Sequence, residues 1–173
     1  MRAFVFVLLL LAAAEPAAAR LWKPTLQQQA GDYLTITHNV AGESTVIVWM
    51  APPLVAPPSV KPLLEKYVVL SIAHTRRGPD GLTSWDDIQG VQLSDGNGEN
   101  LKQVPMDAIP PTLVGLMAAS DASVRQNSLG KAKVAWSIWE PGSISACQKG
   151  KLVVTYDGEA YSFDTPLPGC PKS

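Results

Sequence analysis

The chain has 173 residues, 46% of them hydrophobic, with 14 basic and 15 acidic groups and a formal net charge of −1. A balance this close to neutral excludes electrostatic attraction to nucleic acid or to an anionic membrane surface as a binding strategy. Two cysteines and two histidines leave little material for a metal cluster or a thiol catalyst.

Met1-Arg2 precedes an apolar run, Ala3 to Ala14, which Glu15-Pro16 breaks before Ala17-Ala18-Ala19. One positive charge, a short apolar core and a small-residue exit are the parts of a secretory signal peptide, here residues 1–19. The run is too short for a membrane span of ~20 residues. No later segment could span, so the mature chain is expected to be periplasmic or secreted. Residues 20–173 suffice for a single domain with its own core. Export would also place the two cysteines in an oxidising compartment.

Leu21 to Ala30 reads as a loose arm or a short helix after Pro24, with Trp22 available to pack on the body. Tyr33 to Val40 alternates, with Leu34, Ile36, His38 and Val40 on one face, as a half-buried strand does. Ala41-Gly42-Glu43 turns the chain into Thr45 to Met50, a continuous β-branched and aromatic run, giving a first hairpin. The prolines of Ala51 to Pro58 supply no N–H to a ladder, so that stretch is an extended crossover. Ser59 is placed to cap a short helix through Glu65.

Tyr67 to Thr75 is the strongest strand, with Val68, Leu70, Ile72 and His74 on one face. Arg76 to Gly90 follows as the longest polar loop. Val91 to Ser94 and Leu101 to Val104 flank the turn-rich Asp95 to Asn100 and read as a hairpin. Thr112 to Ala119 is helical after Pro110-Pro111, Ser120 caps a second turn to Asn127, and Gly130 stops it. Lys131 to Trp139 alternates again, with Trp136 and Trp139 on opposite faces, one of them core.

Leu152 to Tyr156 and Glu159 to Phe163 flank Asp157-Gly158, whose two positions suit a turn with φ > 0 at both. Cys147 and Cys170 bracket this hairpin, and a disulfide between them is expected to staple its two ends. Seven or eight short strands with one helical insertion predict a mainly β chain: an antiparallel β-sandwich, immunoglobulin-like by strand count.

No G-x-S-x-G, H-E-x-x-H, P-loop or G-x-G-x-x-G occurs, so a non-catalytic role without cofactor is expected. Asp95-x-Asn97-x-Glu99 offers calcium-like oxygens. It lacks glycine at the sixth position and a bidentate Glu at the twelfth, so it reads as a hairpin tip. The long loop is the densest set of recognition groups. Trp85, Asp86, Asp87, Arg76 and Arg77 form the candidate binding site, with an internal Arg–Asp pairing as the structural alternative.

These observations predict an exported, non-catalytic binding or assembly module of the cell envelope, with a protein partner there. One alternative is a carbohydrate-binding module using Trp85 and the exposed member of the pair Trp136 and Trp139. The other is a small copper- or metal-handling protein using His38, His74 and Met50. The expectation for metal is none, since two histidines without short spacing make a thin ligand set.

Overall fold

The structure, a computed structural model, describes residues 20–21, 35–40, 42–53 and 58–171, the first two stretches by backbone alone. The signal-peptide reading of residues 1–19, the arm with Trp22, and positions 33–34 lie outside the described residues. The first half of the chain holds β1 (Arg20–Leu21), β2 (Thr35–Val40), β3 (Glu43–Trp49), α1 (Lys61–Lys66), β4 (Val68–Arg77), β5 (Thr83–Trp85) and β6 (Gln92–Asp95). A 3-10 turn (Met106–Ala108), α2 (Pro111–Asn127), β7 (Ala135–Trp139), β8 (Gly150–Tyr156) and β9 (Glu159–Thr165) complete it.

The strands form two sheets that do not close into a barrel. Sheet I runs β1-β9-β8-β6; sheet II runs β2-β3-β4, and the far edge of β4 carries β7 and then β5. All pairs are antiparallel except β1 with β9. β4 is long enough to take two partners end to end: Val68 to Ile72 pair with β7, and Thr75 to Arg77 pair with β5.

Strand alternation gives sheet II two different faces. Its inner face presents Ile47, Trp49, Leu70 and Ile72 to Leu93, Leu152, Val154 and Phe163 of sheet I, and these make one buried core. Trp49 meets Phe163 edge-on at 5.7 Å. Trp139 joins this core at 6% exposure. The outer face carries a second cluster, in which Val69 and Ile138 pack with Leu113 of α2 and with Val60 and Leu64 beside and within α1. Helices therefore cover one end of the outer face.

α2 is one continuous helix, not two turns split at Ser120. Neither proline nor glycine interrupts it there, and just past the expected break Asp121 pairs with Arg125 one turn on, at 2.8 Å. It stops where expected: the Gly130 amide donates to Arg125 O at φ +78°. α1 begins after Val60 with no side-chain cap, so Ser59 does not serve as one; Pro62, early in the first turn, needs no N–H partner there. The expected β6 hairpin also differs. Past a bridge at Asn100 and the Leu101 amide bonded to Leu93, the chain leaves β6, and Lys102 to Val104 run beside the end of β7.

The C-terminal hairpin forms as read: β8 and β9 pair from Gly150–Thr165 to Tyr156–Glu159 around Asp157 (φ 51°) and Gly158 (φ 75°). Cys147 and Cys170 are bonded, with Cα atoms 5.3 Å apart. Among the described residues no helix is long and apolar enough to cross a membrane.

Candidate functional site

The segment expected to be one loop contains a strand. β4 continues to Arg77, the chain turns through Gly78 to Leu82, and β5 returns along it with Trp85 opposite Thr75 and Thr83 opposite Arg77. The same alternation that builds the sheet then divides the predicted site. Arg76 belongs to the inner-face side with His74, and Asp86 joins them; Trp85 and Arg77 belong to the outer face with Thr75.

On the inner side lies a charged cluster. Arg76 Nε donates to Asp86 Oδ2 at 2.7 Å, and the guanidinium also lies 3.5 Å from Glu43 and 3.8 Å from Asp157. The Asp86 hydrogen bond, then the Glu43 charge, raise the Arg76 pKa above its ordinary value. His74 sits beneath, 3% exposed, with Nδ1 2.7 Å from the Thr45 hydroxyl and Nε2 3.5 Å from Asp86. Burial, followed by the Asp157 and Asp86 charges, raises the pKa of Tyr156, whose ring meets His74 edge-on. Hydroxyl, imidazole and carboxylate stand in the order of a nucleophile relay. Thr45 is 3% exposed, however, so no substrate reaches its hydroxyl; the cluster ties the end of β4 to β3 and to the segment after β5.

On the outer side lies a groove of about 530 Å³. Its floor is Val46, Val48 and Met50 from β3 and its continuation, and Ser71, Ala73 and Thr75 from β4. Trp136 and Val134 border it at β7, Trp85 and Thr83 at β5, and Ser120 and Val124 of α2 form a wall. A volume of this size is that of a small-molecule site, which is concave and mostly apolar. β3 explains why it exists. Its sequence is apolar on both faces, the pattern of a strand covered on both sides. The inner residues Ile47 and Trp49 are buried, while Val46, Val48 and Met50 remain half-buried. Trp136 Nε1 is buried with no hydrogen-bond partner among the described residues.

Comparisons with known proteins found no matching family model, no matching curated protein and no matching solved structure.

The structure thus brings Arg76 and Asp86 together as an ion pair, the structural alternative for those two residues. Asp87 pairs instead with Lys133 at 2.9 Å. Arg77 turns back on its own hairpin, Nε donating to Gly81 O at 3.3 Å. The sheet divides the histidine–methionine set by strand and by face. β3 separates the strands of His38 and His74, both in register with Thr45, and Met50 lies on the opposite face of sheet II from His74. Asp95 is occupied as an acceptor: the Ser143 hydroxyl and the amides of Asn97 and Glu99 bond it, and these bonds close a turn. Val46, Val48, Ala73 and Val124 were missed. The unbroken apolar run of β3 was the signal that could have found the first two.

Proposed function

We propose that the chain is an exported, non-catalytic binding module of a cell envelope, and that it binds an apolar ligand in the groove on the outer face of sheet II. The observation that carries this reading is the position of Trp85. The one large aromatic of the long excursion is not folded into either core cluster; it borders an apolar trough with Trp136, Val46 and Val48. Exposed apolar surface gathered in one concave place marks a binding site more often than scattered apolar residues do. Export rests on the leader-like residues 1–19 and agrees with the Cys147–Cys170 bond, since disulfides persist in oxidising compartments. The immunoglobulin-like label belongs to this proposal too, supported by strand number and by two facing sheets.

A sugar platform is less well supported. That reading pairs Trp85 with an exposed member of the pair Trp136 and Trp139, but Trp139 is in the core and Trp136 is half-buried beside α2. A copper site would need ligands that the sheet places on opposite faces.

The test is fluorescence titration with N-phenyl-1-naphthylamine, a neutral apolar probe. Trp85→Ala should weaken binding by more than about 1 kcal/mol, the scale of an interface anchor, with little change in melting temperature. Val124→Trp, which fills the groove from the helix side, should abolish binding. A large loss of stability in Trp85→Ala would assign the ring to the core and remove the proposal's main support.

A further inference from the structure

The groove is not uniform along its length. From Met50 back to Ser44 its floor follows one strand for about 20 Å at the ordinary rise per residue. One end gathers Met50, Val48 and Trp136 around a single hydroxyl, that of Ser71; the other carries three, those of Ser44, Thr75 and Thr83, beside the Trp85 ring. Arg77 stands directly beyond that polar end, paired across the ladder with Thr83 and in line with Thr75 on the same face.

The two adjacent arginines differ in charge environment. Arg76, on the other face, is neutralised by Asp86, Glu43 and Asp157. Arg77 is exposed, and its guanidinium bonds the Gly81 carbonyl with no carboxylate in ion-pair range among the described residues. Arg125 and Lys133, cations along the α2 and β7 walls, are already paired with Asp121 and Asp87. A linear apolar trough ending in hydroxyls and an uncompensated guanidinium is complementary to a linear molecule with an anionic head.

We infer that the groove takes a single-chain anionic amphiphile of the free fatty-acid class, the alkyl chain lying along β3 towards Met50 and the carboxylate meeting Arg77. This rests on the groove being the binding surface and adds the ligand's class and direction. The carboxylate matches the planar fork of a guanidinium, which a cationic or uncharged head does not.

The test is displacement of bound N-phenyl-1-naphthylamine from the full mature chain by dodecanoate, dodecanol and dodecyltrimethylammonium, each below its micellar concentration. Dodecanoate should displace the probe best, and the cationic amphiphile worst. Arg77→Gln, an exposed substitution that leaves both cores intact, should weaken dodecanoate about tenfold, the scale of a charge-assisted hydrogen bond. The same variant should leave dodecanol unchanged. Equal displacement by all three, with no effect of Arg77→Gln, would overturn the head-group assignment while leaving the groove as a binding surface. Probe binding insensitive to both Trp85→Ala and Val124→Trp would overturn the groove itself. Co-sedimentation with anionic phospholipid vesicles without dodecanoate binding would overturn the inference in favour of a membrane surface.

Discussion

Asp95 shows how one carboxylate can close a turn and fasten it to a distant loop. The Ser143 hydroxyl reaches it at 2.7 Å across the molecule, and the Glu99 and Asn97 amides bond it at 2.9 Å from within the turn. These donors, Ser143 first, favour the ionised form and hold the Asp95 pKa below its ordinary value despite burial. A lowered folded pKa stabilises the fold fully above the unfolded carboxylate value of about 3.9. That contribution fades as the pH falls through the lower folded value. Asp95→Asn should therefore unfold at lower urea than wild type at neutral pH, and the gap should close below about pH 4. A gap unchanged at low pH would show that the charge is not what the donors recognise. Sequence alone put Asp95 in a turn, yet Ser143 was not legible: nothing local links positions 95 and 143. The same limit applied to His74, whose phase with Leu70 and Ile72 announced an inner-face position but not its bond to Thr45.

Elements were legible where local chemistry and burial agreed. The alternation of β4 and the two-residue turn of the last hairpin survived into the structure because both are set by neighbours in sequence. At Gly158 the backbone lies at φ 75° with open space where a Cβ would sit, so strain alone opposes a larger residue. Gly158→Ala should cost about 1–2 kcal/mol, the penalty of the left-handed region for an L-residue, read from the urea midpoint. An unchanged midpoint would mean that the turn relaxes to another type. β5 was not legible, because Thr83 to Trp85 is too short and too polar at its start to show a period. What makes it a strand is the unpaired far edge of β4 beyond β7. That pairing also decides which predicted site residues share a face, so the candidate site could be named from sequence but not assembled. Leu101 to Val104 failed as a hairpin arm for the reverse reason: the end of β7 offers partners that β6 does not.

For the molecule as a whole, the C-terminal staple and the groove make separate claims. Cys147 and Cys170 are 23 residues apart, and closing a loop of that length stabilises by about 3 kcal/mol in the chain-entropy model. Cys170→Ser should lower the unfolding midpoint accordingly under oxidising conditions, and excess dithiothreitol should bring wild type down to the variant. Equal midpoints without reductant would mean that the bond does not form in the folded chain. The mainly β architecture and the bond itself were readable from turn residues and cysteine spacing. The groove was not, because it depends on α2 covering one end of sheet II and leaving the other end open beside Trp85. The most direct measurement of the central claim is methyl chemical-shift mapping during titration with N-phenyl-1-naphthylamine. Shifts should concentrate at Val46, Val48, Ala73, Val124 and Val134, on the two sides of one trough. Shifts gathered instead at Ile144 and Ala146, in the recess beside the disulfide, would contradict it.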